Sequence, residues 1–273
     1  MMGWLAGVVV VVALWVSMRY AWWRPIVPYR HPRILMYHMV RNHVPGTRFN
    51  GLRVTPAMFE RQLRWLRDNG WHSYTLSELL AMGHAVPEKS VVLTFDDGYS
   101  DNFHKALPLL EKYDFKATLY LVVDRHDRDW SSQKKAHHDS GELGREPKLT
   151  DSEVETMLSS GRIELASHTL THPNFKRLDE EQKRHELATS KQQLEERFGV
   201  EVRSFAYPFG IFDTGDARLV EESGYDSAVT TEAGIDRGPA PDPYRLKRVK
   251  ISGKDNMLAF ILRMRGGLRG LGK

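Results

Sequence analysis

Val91-Val92-Leu93-Thr94-Phe95-Asp96-Asp97-Gly98 is the stretch that decides how this chain folds. Apolar and β-prone residues run into a hydroxyl, an aromatic ring, two adjacent carboxylates and a glycine, the pattern of a buried strand that delivers its charges at its end. Asp-Gly also makes hairpin turns, and the octapeptide alone leaves both readings open. The chain beyond it does not read as a returning strand: residues 102–113 are helical in pattern, with Pro108 inside them. Strands that end in carboxylates and pass into helices are how α/β barrels and open sheets build sites.

About seventy residues on, Ile163-Glu164-Leu165-Ala166 is a second short strand-like run, ending in Ser167-His168-Thr169-Leu170-Thr171-His172-Pro173. Two imidazoles four residues apart converge on one cation if their loop curls like a helical turn. In a chain with 12 histidines such a pair can equally be a surface feature. Together, the two strand ends supply a carboxylate and two imidazoles, a metal-ligand set with positions left open for water and substrate.

These two segments, with their spacing and their strand-then-motif setting, resemble the first two motifs of the polysaccharide deacetylases, the NodB-like carbohydrate esterases of family 4, over about residues 33–252. The resemblance implies a distorted (β/α)7 barrel that removes N-acetyl groups from an amino-sugar polysaccharide or oligosaccharide, giving acetate and a free amine. It implies Asp96 as general base and Asp97, His168 and His172 as ligands of one divalent metal, zinc first, with cobalt, nickel or manganese as alternatives. Tyr207-Pro208-Phe209-Gly210 resembles the family's third motif, with Ala206 where an arginine is usual and Phe209 where a tyrosine is usual. The backbone N–H of Phe209, which the resemblance makes the oxyanion donor, survives the second change. The first removes the cation that would hold Asp96 ionised, so Asp96 must find another partner or work less efficiently. Arg203 is close in sequence, but its odd offset along the strand turns it to the other face. The Phe-Ala-Tyr-Pro form is similar to the branch that deacetylates poly-β-1,6-N-acetylglucosamine.

The family's fifth motif, a leucine and histidine that furnish the general acid, is missing: no histidine follows His185. His38, which ends the apolar run Arg33-Ile34-Leu35-Met36-Tyr37, is the candidate acid, beside the plainer role of a ring satisfied at a strand terminus. Tyr207 and Trp130 are candidates for binding sugar. Trp130 is the lone tryptophan of a polar loop, 124–148, where it either stacks on sugar or anchors the loop. His126, His137 and His138 in that loop read as solvated.

Elsewhere strands alternate with helices, which implies parallel β/α units. Residues 31–255 read as one catalytic domain between a leader, 1–30, and a basic amphipathic tail, 256–273. Residues 4–18 are uncharged and contain Val8 to Val12; with Trp22 and Trp23 beyond Arg19 they reach about the minimum for a bilayer span. The expectation is a retained N-terminal membrane-anchor helix, with a cleaved signal peptide and a buried helix as the alternatives. Arg19, Arg24, Arg30 and Arg33 all follow the span, which would leave the domain in the cytoplasm; the resemblance points instead to the outer side, the cell envelope. In the tail, Met257, Phe260, Ile261 and Met264 recur at helical spacing among Arg263, Arg265, Arg269 and Lys273. That suits a last helix packed on the barrel or a contact with anionic lipid.

The formal charge of +4 sits on the ends of the chain: residues 34–244 hold 26 basic and 34 acidic residues, net −8, which is no nucleic-acid footprint. A monomer is expected, and the absence of cysteine suits an oxidising compartment. Two other functions compete with polysaccharide deacetylation. One is deformylation or deacetylation of a lipid-linked amino sugar. The other is a carbohydrate-binding relative that keeps the metal and has lost catalysis, favoured by the missing arginine and histidine and opposed by intact Asp96.

Overall fold

The computed structural model describes residues 2–134, 137–138, 140–238, 240–268 and 270. Its strands are β1 (Arg33–Tyr37), β2 (Met39–Val40), β3 (Arg53–Val54), β4 (His72–Ser73), β5 (Ser90–Asp96), β6 (Ala117–Leu121), β7 (Ile163–Ser167), β8 (Ser204–Ala206), β9 (Ser227–Ala233) and β10 (Leu246–Lys250). Its helices are α1 (Met2–Tyr20), α2 (Pro56–Asp68), α3 (Leu76–Ala81), α4 (Leu107–Tyr113), α5 (Ser131–Lys134), α6 (Asp151–Ser159), α7 (Glu180–Phe198), α8 (Thr214–Glu222) and α9 (Met257–Gly266).

Strands β5 to β10 pair in sequence order, all parallel, and β1 closes the ring by pairing with both β10 and β5. The result is a parallel seven-stranded α/β barrel, with β4 added at the lower edge of β5 through His72↔Ser90 and Ser73↔Val91. Side chains alternate along each strand. Ile34, Val92, Tyr120, Ala166, Ala206, Val229 and Leu246 fill the barrel, where Leu76 and Leu79 of α3 join them. Their neighbours Leu35, Leu93, Leu119, Leu165, Phe205, Ala228 and Val249 belong to the larger core under the helices. A slip of one residue in any strand would exchange these faces. The same parity carries Asp96, His168, Arg248 and Lys250 inward, two or four residues beyond an inward apolar side chain.

The helices begin and end where local chemistry satisfies their free backbone groups. Thr55 accepts from Met58 N–H ahead of Pro56. Thr150 with Glu153 and Asp179 with Gln182 form reciprocal capping boxes, and Gly199 ends α7 at φ 64°. Each such cap contributes about 1 kcal/mol. The segment after β5 opens with a wide turn over Asn102–Ala106, which leaves Pro108 in the first turn of α4, where no N–H is needed.

One expectation about the ends of the chain is corrected. α1 exposes Trp4, Val8 to Val12, Leu14, Trp15 and Met18, but among the described residues no helix is long and apolar enough to cross a membrane. The expected membrane span therefore has no support in the structure. The chain after α1 is tied to the far end of the sequence: buried Arg33 donates to the carbonyls of Val27 (2.6 Å), Pro28 (2.9 Å) and Met264 (3.0 Å), and Val27 N–H donates to Arg265 O at 2.8 Å. α9 buries Ala259, Phe260, Leu262 and Met264, and Arg263 pairs with buried Asp255 at 2.8 Å. Through residue 268 the basic C-terminal segment is a last helix packed on the barrel, one of its two expected roles; Arg269 and Lys273 lie outside the described residues. The 124–148 loop is also less solvated than its composition suggests. Buried Arg53 draws its Glu142 (2.8 Å) and Glu146 (2.6 Å) down onto the β2–β3 pair.

Candidate active site

The C-terminal ends of the barrel strands converge on a cavity of about 340 Å³ whose lining includes His38, Asp96, Asp97, His168, His172 and Lys250. Four non-glycine residues around it have left-handed backbone: Asp97 (φ 77°), Thr169 (φ 73°), His172 (φ 59°) and Phe209 (φ 58°). Each such residue costs on the order of 1–3 kcal/mol, which the surrounding contacts must offset. In the histidine loop the contacts are explicit. Buried Glu186 of α7 accepts from the N–H groups of Leu170 (2.9 Å) and Thr171 (3.0 Å) and from the Thr171 hydroxyl (2.6 Å). Thr169 Oγ1 accepts from His172 N–H at 2.9 Å. The glycines beside the motifs have equally local reasons. At Gly98 (φ 78°) a Cβ would lie 2.4 Å from Leu121 Cδ1, and at Gly210 (φ 66°) 1.9 Å from Thr231 Oγ1.

Asp97, His168 and His172 come together. The Nε2 atoms of both histidines lie 3.4 Å from Asp97 Oδ1 and 3.1 Å from each other. Donors on a tetrahedron with bonds of about 2.0–2.1 Å are separated by about 3.4 Å, so the spacing is close to that of donors around one metal ion. His168 Nδ1 donates to Ala206 O at 2.7 Å, which leaves its Nε2 lone pair facing the other donors. Burial, against the nearby Asp97 carboxylate, pushes the His172 pKa down to about 4, so that ring is neutral as a ligand must be. Burial opposes ionisation of Asp97, but the two imidazoles facing it hold it well below the usual aspartate value. Two imidazoles and a carboxylate aimed at one point fit a divalent cation.

Asp96 found its partner on the last strand. Arg248 of β10, fully buried, grips both Asp96 oxygens at 2.7 Å, donates to Thr94 Oγ1 at 3.0 Å and to Thr230 O at 2.8 Å. Burial alone would raise the Asp96 pKa; the Arg248 charge and its hydrogen bonds outweigh burial and lower it. The cation missing at Ala206 is therefore supplied 152 residues from Asp96 in sequence. Sequence reasoning missed Arg248 because Arg-Leu-Lys-Arg-Val-Lys carries charge on both parities and does not reveal which faces inward. Arg203 lies outside as expected, bound to Glu201 at 2.7 Å.

His38 stands just past β1, half-buried, on the cavity wall. Its carbonyl accepts from Asn102 Nδ2 at 2.9 Å. Phe209 presents a backbone N–H with no acceptor among the described residues, beside a ring 4.5 Å from that of His172. Both candidates for binding sugar line the cavity. Trp130 is 3 % exposed, its ring lying 4.7 Å from that of His172 and under Lys148 Nζ at 4.9 Å. It forms the wall behind His172, which agrees with the anchoring role the loop also offered. Tyr207 lines the cavity, but its hydroxyl donates to Tyr244 O at 3.0 Å and its ring stacks on Phe212 at 4.3 Å. His138, read as solvated, lines the cavity with its ring 5.3 Å from Phe49.

Residues 83–228 match the family model of polysaccharide deacetylase. YxkH of Bacillus subtilis, a protein named for the same family, is 32 % identical over 238 residues, covering 85 % of this chain and 75 % of its own length. The poly-β-1,6-N-acetyl-D-glucosamine N-deacetylase of Escherichia coli K12 is 27 % identical over 256 residues, which cover 83 % of this chain but only 37 % of that protein. Among solved structures, the polysaccharide deacetylase BC0361 of Bacillus cereus superposes with a TM-score of 0.72 at 30 % identity, covering 86 % of this chain and 69 % of its own.

Proposed function

This chain belongs to the polysaccharide deacetylase family, and from that premise we propose that it is a metal-dependent hydrolase releasing acetate from N-acetylglucosamine units of an envelope polysaccharide or exopolysaccharide. The observation that carries the reading is the pairing, in one cavity, of a three-donor cation site with a free carboxylate locked by a buried arginine. Asp97, His168 and His172 would hold the ion, zinc first, whose chemistry when bound is to polarise the acetamide carbonyl and acidify water.

The residues supply the rest. Asp96, kept ionised and oriented by Arg248, accepts the proton of the attacking water. The Phe209 N–H is preset for the oxyanion of the tetrahedral intermediate. His38, on the opposite wall from β7, delivers a proton to the leaving amine nitrogen as the C–N bond breaks. Water and amide thus become acetate and a free amine. The missing C-terminal histidine is replaced in this scheme from β1, as the missing arginine is from β10. A relative without catalysis loses half of its support once Arg248 occupies the arginine's place.

Acetate release from a β-1,6-linked N-acetylglucosamine oligomer, measured with and without a chelator, tests the reading. Release that stops with chelator and returns with zinc is expected; turnover indifferent to chelator would overturn the metal assignment. A lipid-linked amino sugar is the second substrate reading. It draws on the apolar side chains α1 exposes, which would place the enzyme at a bilayer surface. Assaying the lipid-linked sugar beside the soluble oligomer decides between them.

A further inference from the structure

The inward column of β10 reads Leu246, Arg248, Lys250 from the barrel floor to its mouth. Leu246 packs in the barrel interior, Arg248 is consumed by Asp96, and Lys250 is left half-buried on the cavity wall. Among the described residues its ammonium has no hydrogen bond and no ion pair. The cavity's two carboxylates are engaged elsewhere, Asp96 by the Arg248 fork and Asp97 by the two imidazoles. Burial first, then the like charges of Lys134, Arg248 and Arg263, push the Lys250 pKa below the ordinary lysine value. Lys134 lines the same cavity, its Nζ 5.8 Å from the centre of the Phe209 ring.

A half-buried ammonium surrounded by cations is destabilising for the empty protein, and it persists only if something selects for it. Nothing in the proposed hydrolysis uses it: the general base, the cation donors, the oxyanion donor and the candidate acid are other groups. A second ammonium at this mouth also disfavours a substrate already rich in free amines, the product of extensive deacetylation. We propose that Lys250 is a specificity-determining residue that binds an oxyanion substituent, a carboxylate or a phosphate, on the sugar chain next to the acetamido group being hydrolysed. The inference rests on the deacetylase reading and narrows its substrate from a neutral polymer to an anionic one. An ammonium on a short stem pairs with such a group as a point charge, and its strength depends on desolvation already accomplished by the cavity wall.

The test uses three soluble probes of equal length: a neutral N-acetylglucosamine oligomer, one alternating with glucuronate, and one bearing 6-phosphate. Turnover and calorimetric binding are measured for the wild-type zinc-loaded protein, Lys250→Met and Lys250→Arg. The expected result is a wild-type preference of at least ~10-fold in kcat/KM and in binding for one anionic probe, lying in KM. Lys250→Met should collapse that ratio, Lys250→Arg should keep most of it, and the ratio should shrink with added salt. The carboxylate and phosphate arms tell which oxyanion is read. Equal handling of neutral and anionic probes by the wild type overturns the inference, as does a Lys250→Met loss that falls equally on all three in kcat. That last result would place the lysine in the reaction itself. If no probe releases acetate yet the anionic preference in binding depends on Lys250, the deacetylase reading fails and the anion site stands.

Discussion

At the lower end of the barrel, the carboxylate of Glu164 accepts from the Ser77 hydroxyl and backbone and from Thr118 Oγ1, and so fixes the start of α3 against β6 and β7. At the upper end, Asp96 and Asp97 also belong to the barrel wall, yet their neighbours converge on open space: a guanidinium, two imidazoles, a half-buried lysine and four left-handed residues. The same strands carry both arrangements. Below, each polar group is closed by a neighbour and contributes stability. Above, groups are held apart at a cost, and that cost marks where chemistry is done.

The contrast is broken or sharpened by substitution, starting at the upper end. Asp97→Ala or His168→Ala should lower acetate release by about 10³-fold or more and empty the protein of metal; elemental analysis with an acetate assay reads both, and a variant keeping its metal would remove the ligand assignment. Arg248→Met leaves Asp96 buried without its counter-ion. Turnover should drop by about 10²–10³-fold and stability by roughly 3–5 kcal/mol, with metal retained. Adding Ala206→Arg to Arg248→Ala moves the cation back to the strand where the family usually has it, and part of the lost turnover should return. His38→Ala should cut kcat by about 10²-fold at unchanged metal content; unchanged turnover would take His38 out of the mechanism.

At the lower end the signs reverse. Glu164→Ala should cost about 2 kcal/mol in denaturant unfolding, by stranding Ser77 and Thr118, while kcat stays at the wild-type value. Back at the upper end, in the turn after β5, lies Asp101, whose pKa burial raises to about 6 against the hydrogen bond from Val40 N–H. The folded chain therefore holds this proton more tightly than the unfolded one, so the contribution is most favourable below the ordinary 3.8 and declines as pH rises through about 6. Asp101→Asn should flatten that decline. A gain of about 1 kcal/mol at pH 7, visible as a Tm rise of roughly 2–4 °C, is the smallest of these effects.

The barrel and the Asp97, His168 and His172 cluster were legible because their signals are local. Val91 to Gly98 shows a strand and its end within eight residues, and His168 to His172 lies on one loop. Strand-helix alternation then implied parallel pairing. The environment of Trp130 was not legible, since nothing in a polar loop shows which face a tryptophan will close. The apolar leader misled for a related reason: it was read alone, whereas Val27 and Arg33 tie the chain that follows it to α9.

By itself the sequence determined the motif carboxylates, the imidazole pair and the β/α rhythm, because each depends on residues a few positions apart. Only the closed barrel decided what holds Asp96 and what lines the cavity beside it. Closure sets β10 beside β1 and β1 beside β5, so Arg248 and Lys250 reach the site of Asp96 through space. Strand parity, visible only once register is known, turned both of them inward.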